Sequence, residues 1–247
     1  DGTFGVVTKN LEITTGMDVG GKVTITATGD INISPDVIFS DLEISANKLT
    51  YKNLTVNDTA DITVTNDFTA NDVTINNLNN LSANNITINN LTVKNDANIV
   101  TKGLFKTETA TVSGNLTKLE TNNAEIGSLT VGNNANIKAT GKITANTIDV
   151  TGNLSKLETK DADIKNLTVD NDATIVSNGD VVLGKTTIGN NFNVSAKNLT
   201  FNDVTSVTGE TSLKATSKLT FVPNDVTFNN KLIIKKGTGI VDVNRLT

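Results

Sequence analysis

Residues Thr111–Asn191 contain five variations of one turn sequence: TVSGN (Thr111–Asn115), TVGNN (Thr130–Asn134), DVTGN (Asp149–Asn153), TVDND (Thr168–Asp172) and TIGNN (Thr187–Asn191). The second residue of each is apolar, and successive ones are 19 residues apart. A fixed period of this size is typical of a repeat architecture, in which each repeat is one structural unit that stacks on its neighbours.

The period extends in both directions and contains a second, longer repeat. Forward it reaches Val207 and Val226, and backward it reaches apolar residues with a slip of one residue at two steps: Val93, Ile75, Val56, Ile38 and Val19. Val112–Val131 (VSGNLTKLETNNAEIGSLTV) matches Val150–Val169 (VTGNLSKLETKDADIKNLTV), which lies two periods later. Adjacent repeats therefore alternate between two subtypes, and about 13 repeats of 19 residues fill the 247-residue chain.

The composition favours strands throughout. Aromatic residues make up 4% of the chain, and the abundant Thr, Val and Ile fit the pleated surface of a sheet. Apolar residues make up 36%, which is enough for the thin core of a solenoid. No stretch shows sustained helical spacing of apolar residues, and Asn and Thr are poor helix formers.

Apolar and polar residues alternate within one repeat. After Val131, the expected inward residues form three short groups: Ala135, Ile137 and Ala139; Ile143 and Ala145; Ile148 and Val150. The residues between them, such as Lys138 and Thr144, are then expected to face solvent. The sequence therefore predicts an all-β, right-handed parallel β-helix of about 13 turns with a triangular cross-section, which forms a single repeat domain over residues 1–247.

Polar residues recur three positions after each organising apolar residue. We predict that they form a structural turn ladder, in which stacked side-chain amides hydrogen-bond along the axis: Asn77, Asp96, Asn115, Asn134, Asn153, Asp172 and Asn191, with Glu210 after them. Calcium ligation is the functional alternative. It is disfavoured because each turn has too few carboxylates for six to eight oxygen ligands.

Other chemistry is not indicated by the sequence. The chain has no His and no Cys, and its single arginine is Arg245. We therefore predict no catalytic residues, no metal site and no cofactor, although some parallel β-helices cleave polysaccharides. The net charge of −5 comes from scattered residues, and a nucleic-acid binder would be expected to show a basic stripe. No transmembrane segment is visible, so we expect a chain that is not embedded in a membrane.

Asn-x-Ser/Thr sequons are frequent in this chain. Eleven occur, at Asn32, Asn53, Asn57, Asn80, Asn85, Asn90, Asn115, Asn153, Asn166, Asn193 and Asn198. The simpler explanation is that Asn commonly precedes a Leu-Thr strand start in this repeat. The functional alternative is N-linked glycosylation, which an intact-mass measurement on native material would reveal.

The repeats are similar to those of filamentous haemagglutinin-type exoproteins, the large surface adhesins of two-partner secretion systems in Gram-negative bacteria. The resemblance rests on 19-residue units with a G-N or N-N turn followed by A-x-I and G-x-I-x-A, as in Asn133–Thr144 (NNANIKATGKIT). It implies a non-enzymatic, secreted, extracellular shaft of a bacterial surface adhesin, with a host-cell or bacterial surface receptor as a partner. The N-P-N-type motifs of the family's secretion domain are missing, which predicts a fragment of a longer shaft or a related filament.

The alternative function is a self-assembling filament or matrix subunit. The periodic pattern reaches both ends of the chain, and Ile13 and Ile240 are expected to be inward residues of the first and last turns. Uncapped solenoid ends expose strand edges that invite pairing. The expected partner at each end is therefore more of the same chain or an identical subunit. The length of the parent gene and a neighbouring transporter gene would discriminate between the two functions.

Overall fold

The computed structural model describes residues 3–222 and 226–243, and the chain divides into two compact units, residues 1–122 and 123–247. The described residues of both units are all-β and contain no helix. Arg245 lies outside the described residues.

Unit 1 contains the strands β1 to β10. Their bounds are β1 Phe4–Thr8, β2 Leu11–Ile13, β3 Met17–Ala27, β4 Asp30–Ala46, β5 Lys48–Val64, β6 Asp67–Ala83, β7 Asn85–Val93, β8 Ala97–Thr101, β9 Leu104–Val112 and β10 Leu116–Thr121. The longest of these bend without leaving the strand conformation, so that β4, β5 and β6 each contribute 17 residues.

Unit 2 contains the strands β11 to β23. Their bounds are β11 Asn123–Val131, β12 Ala135–Ala139, β13 Lys142–Val150, β14 Leu154–Thr159, β15 Asp161–Val169, β16 Ala173–Ser177, β17 Asp180–Ile188, β18 Phe192–Phe201, β19 Thr205–Val207, β20 Thr211–Phe221, β21 Val226–Phe228, β22 Leu232–Ile234 and β23 Ile240–Val243.

Each unit is a parallel β-solenoid with three ladders per turn. In unit 2 the first ladder stacks β12 on β14, the second ladder stacks Lys142–Ala145 on Asp161–Ile164, and the third ladder stacks Thr147–Val150 on Asn166–Val169. Every pairing in both units is parallel, because each turn lies on the one before it in the same direction. The predicted fold class is therefore confirmed, with about 12 turns of about 19 residues in the two units together.

The core of each unit is a column of inward apolar side chains. All seven residues that the sequence predicts as inward in the turn after Val131 are buried, and their neighbours Asn136 and Lys138 are exposed. The same pattern holds in unit 1, where Ile62, Phe68 and Ile75 are fully buried. Alternation along the strand places every second side chain in the core, so three short ladders enclose it on all sides.

Two of the predicted inward residues face outward. Ile38 is 38% exposed and pairs with Thr55, whereas Phe39 is fully buried and pairs with Val56. Ile240 is 69% exposed and pairs with Lys218, so that its neighbour Val241 takes the inward position opposite Leu219. In both cases the turn departs from the regular length: it is shorter between Phe39 and Val56 and longer between Leu219 and Val241. A slip of one residue moves a strand side chain to the opposite face.

Candidate functional site: the corner ladders

The predicted turn ladder lies at the first corner, where the third ladder of one turn ends and the first ladder of the next begins. In unit 2, the Asn134 side-chain oxygen Oδ1 accepts from both the backbone N–H and Nδ2 of Asn153, each at 2.9 Å. Asn153 Oδ1 accepts the backbone N–H of Asp172 at 3.1 Å, and Asp172 Oδ1 accepts that of Asn191 at 3.0 Å. Each side chain therefore caps the backbone of the following turn.

The column reaches Glu210 in unit 2 and has counterparts in unit 1. Glu210 donates its backbone N–H to Asn191 Oδ1 at 3.0 Å. In unit 1, Asp96 Oδ1 accepts the backbone N–H of Asn115 at 2.7 Å and its Nδ2 at 3.0 Å. Asn77 stands one turn before Asp96, since the following residues Leu78 and Ala97 are paired. The common contact is a side-chain oxygen that accepts a backbone N–H. A side-chain amide also donates to that oxygen in two places: Asn115 donates to the carboxylate of Asp96, and Asn153 donates to the amide of Asn134.

A further column at the second corner, between the first and second ladders, is not predicted by the sequence analysis. In unit 1, Asn10 Oδ1 accepts the backbone N–H of Asp30 and Asn85 Oδ1 that of Leu104, both at 2.9 Å. In unit 2, Asn123 Oδ1 and Asp161 Oδ1 accept the backbone N–H groups of Lys142 and Asp180, each at 2.8 Å. The sequence signal was present, because Asn85, Asn123 and Asp161 follow one another at intervals of two turns.

Glycines explain why neighbouring turns differ at the second corner. Gly179 lies directly over Asp161: a Cβ atom on Gly179 would be 2.7 Å from the backbone oxygen of Lys160 and would collide with Asp161 Oδ1. Gly103 has the same position over Asn85. The polar side chain that caps one turn therefore requires a residue without a side chain in the next turn. This requirement produces an alternation of two turns, which is the longer repeat seen in the sequence.

The two turn types have the same length. One type has an extra residue at the second corner, and the other has an extra residue in its first-ladder strand. The turn with Gly141 has a regular first-ladder strand, β12, and a second corner of two residues, 140–141. The next turn has the six-residue strand β14 and a second corner with one residue fewer. The pairing of β12 with β14 shows a register shift after Ala135, which marks a bulge. Bulge and glycine corner thus alternate while the length of the turn stays constant.

Inward hydroxyl groups are hydrogen-bonded to backbone oxygens at the second corner. Thr159 is buried, and its Oγ1 lies 2.9 Å from the carbonyl oxygen of Gly141 and 2.8 Å from that of Asp161. Thr121 makes the corresponding contact with the Gly103 carbonyl at 3.1 Å. The buried hydroxyl groups need such partners because water does not reach them.

A third polar column lies at the bend between the second and third ladders of unit 1. Asn53 Nδ2 donates to Asp36 Oδ1, and Asn90 Nδ2 donates to Asp72 Oδ1, both at 2.7 Å. Thr109 Oγ1 donates to Asn90 Oδ1 at 2.7 Å. In unit 2 the bend contact is different, since Asn166 Nδ2 donates to the backbone oxygen of Asn146 at 3.0 Å. Side-chain hydrogen bonds therefore join neighbouring turns at both corners and at the bend.

Shallow grooves lie on the outer faces of the two units. One groove, of about 430 Å³, lies on the first ladder of unit 1 and is lined by side chains including Thr26, Glu43, Ser45 and Asp61. A groove of about 270 Å³ in unit 2 is lined by Thr174, Asn193, Ser195 and Lys235, among others. In the part of the chain that the structure describes, no group of three or more His, Cys, Asp or Glu side chains is placed to hold a metal ion. No helix among these residues is long and apolar enough to cross a membrane.

One buried polar group stands apart from the columns. Tyr51 is the only tyrosine of the chain and is 2% exposed, and its hydroxyl has no hydrogen-bond partner. Burial without a partner raises the pKa of the Tyr51 hydroxyl above its ordinary value of 10.0. Its ring lies edge-on to Phe68 with 6.5 Å between the centroids. Tyr51 therefore packs as an aromatic residue of the core.

Comparison with known proteins finds a similarity to a family of repeats. A family model described as "Repeats of unknown function (DUF5649)" matches residues 170–233, which lie in unit 2 and make up roughly a quarter of the chain. No curated protein and no solved structure matches the chain. The matched residues begin at the first corner after the third-ladder strand that ends at Val169. The family match and the geometry therefore agree that this part of the chain is built from repeats.

Proposed function

We propose that this chain is a non-enzymatic segment of the shaft of a bacterial surface adhesin, exported to the outside of the cell. The observation that carries the proposal is the repetition of the same three ladders and polar columns from turn to turn within each unit. Such a unit gains length by adding turns, because each turn pairs with the next through the same parallel ladders. A fold of this kind is compatible with a structural or adhesive role.

The surface of the two units supports a spacer role for the segment. Side chains on the outer faces are mostly Thr, Asn, Asp and Lys, and the two grooves are open to solvent. The sites at which enzymes bind small ligands are usually deeper and lined by apolar and aromatic residues. The similarity of Asn133–Thr144 to filamentous haemagglutinin-type repeats adds the expectation of export and of a surface receptor.

An antibody raised against this chain would test the location and the role. We expect it to label intact source bacteria outside the envelope, and we expect a protease added to intact cells to remove the label. Labelling that appears only after the cells are permeabilised would contradict the proposal. The parent reading frame gives a second test, since a shaft segment belongs to a long gene with a transporter gene beside it.

A self-assembling filament is the second candidate, and the strand edges favour it. Among the described residues, β1 pairs only with β3 and β2 only with β4, while β22 and β23 both pair with β20. Phe4, in β1, pairs with the buried Val23 and is itself 45% exposed. A free edge of this kind can pair with a continuation of the same chain or with a second copy. A contact between unlike ends propagates as an open filament.

Sedimentation of the 247-residue chain tests this candidate. We expect linear oligomers whose length rises with concentration, and we expect Ile13→Lys or Val241→Lys to suppress them by placing a charge at an inward edge position. Ile240→Lys is the matched control, because Ile240 already faces solvent. A monomer at high concentration, or equal suppression by all three substitutions, would contradict assembly through these edges.

A further inference from the structure

The eleven sequons of this chain differ in one respect that decides whether they can carry a sugar. N-linked glycosylation forms a bond to the side-chain nitrogen Nδ2 of asparagine. In a solenoid, that nitrogen is either free in solvent or already donating to the turn before it. The structure therefore divides the sequons into two classes.

Eight sequon asparagines already donate from Nδ2. They are Asn53, Asn80, Asn85, Asn90, Asn115, Asn153, Asn166 and Asn198. In each case the acceptor oxygen belongs to the preceding turn, as with Asp180 Oδ1 at 2.7 Å from Asn198 Nδ2. A pyranose ring on such a nitrogen would either replace the bonded hydrogen or press against the neighbouring turn, which lies only about 4.8 Å away.

Three sequon asparagines make no side-chain hydrogen bond within the described part of the chain. Asn32 is exposed on the second ladder of unit 1, and Asn57 is exposed at its first corner. Asn193 is exposed on the first ladder of unit 2, at the groove that Lys235 borders. Each therefore presents Nδ2 to solvent, and attachment of a sugar there breaks no contact between turns.

We propose that Asn32, Asn57 and Asn193 are the N-glycosylation acceptors of the folded chain. In the other eight sequons, the hydrogen bond from Nδ2 to the preceding turn prevents the modification. In the transfer, Nδ2 forms a bond to the anomeric carbon of a nucleotide-activated sugar. The nucleoside diphosphate leaves with the electron pair of the bond that breaks, and one Nδ2 proton goes to solvent. The modification is independent of the proposed shaft function, since it follows from which nitrogens are free.

The test uses the folded 247-residue chain, a soluble N-glycosyltransferase that takes UDP-glucose, and peptide mass spectrometry to locate the glucose. Eleven synthetic peptides, one for each sequon, give the rate at which the enzyme modifies each sequence without the fold. After division by the peptide rates, we expect Asn32, Asn57 and Asn193 to react at least about tenfold faster than the other eight sites. Comparable rates at the eight sites, or no reaction at the three, would overturn the proposal.

A variant that removes the hydrogen-bond acceptor of one asparagine tests whether the hydrogen bond, rather than the position in the fold, prevents glycosylation. Asn90 is exposed, and its Nδ2 is held by Asp72 Oδ1 alone. Asp72→Ala should therefore add Asn90 to the acceptors while leaving Asn32 unchanged. Asp18→Ala is the matched control, because Asp18 is also exposed, has no side-chain hydrogen bond to Asn90 and lies outside every sequon. If Asn90 stays unreactive in Asp72→Ala, the hydrogen bond does not prevent glycosylation and the proposal is wrong.

Discussion

Asn153 shows at the residue scale how a half-buried polar side chain can stabilise this fold. Its Nδ2 donates to Asn134 and its Oδ1 accepts from the backbone of Asp172, so one side chain joins three successive turns. We expect Asn153→Ala to lower the free energy of unfolding by about 1–2 kcal/mol, because two hydrogen bonds are lost and the Asp172 N–H loses its acceptor. Chemical denaturation monitored by circular dichroism measures this change.

The control for that substitution is Asn193→Ala. Asn193 is exposed and makes no side-chain hydrogen bond in the described part of the chain, so its loss should change the unfolding free energy by less than about 0.5 kcal/mol. Equal losses for the two substitutions would show that the columns contribute nothing beyond an ordinary surface asparagine.

Tyr51 provides a pH-dependent prediction, also at the residue scale. The pKa of its hydroxyl is raised in the folded chain by burial, whereas the unfolded value is 10.0. The neutral form is thus favoured by folding, and this contribution is complete below pH 10 and is lost as the pH rises above it. Each further pH unit should then cost up to about 1.4 kcal/mol until the chain unfolds.

Because the chain has one tyrosine, its phenolate absorbance reports on this residue alone. We expect the absorbance and the loss of β circular dichroism to change together in one transition above pH 10. A phenolate signal with an ordinary pKa near 10 in a chain that is still folded would contradict the burial of Tyr51.

At the scale of the strand, alternation decides which substitutions are tolerated. Ile137 and Asn136 are neighbours in β12, but Ile137 is fully buried and Asn136 is exposed. Ile137→Asp would place an unpaired charge in a narrow core and should cost more than about 4 kcal/mol, or prevent folding. Asn136→Asp should change stability by less than about 0.5 kcal/mol. Thermal melts of both variants measure the difference, and similar melting temperatures would mean that the assigned faces are wrong.

Most of the fold could be predicted from the sequence because strict alternation and a fixed period specify the inward face in regular turns. The prediction failed where turn length changes, as at Ile38 and Ile240. There the apolar neighbours Phe39 and Val241 were equally good candidates for the core, and counting by the regular period selected the wrong one. Only the pairing with Val56 and Leu219 decides between them.

The corners were predicted in part for a different reason. The seven residues of the first-corner column were visible because nearly every turn has Asn or Asp there. At the second corner the acceptor alternates with glycine, so the column repeats only every second turn and looks irregular when single turns are compared. The hydrogen bond from Asp180 to Asp161 and the close approach of Gly179 become visible only when the turns are stacked.

At the scale of the whole molecule, the pair of turns is the unit that the chain repeats. Deleting residues 151–188 removes two turns, joins Val150 to Gly189 and places Lys197–Asn198 over Gly141–Lys142, where Lys160–Asp161 lay. Deleting residues 151–169 removes only one turn. It places Gly179–Asp180 over Gly141–Lys142, and the backbone N–H of Asp180 then loses the acceptor Asp161.

The thermal melting of these two deletion variants tests the two-turn unit most directly. If turns alternate because a polar cap needs a glycine above it, the two-turn deletion should melt higher than the one-turn deletion by at least about 3 °C, although it removes twice as much of the chain. If the single turn is the true unit, the one-turn deletion should melt at the same temperature as the two-turn deletion or above it, and that result would contradict the account.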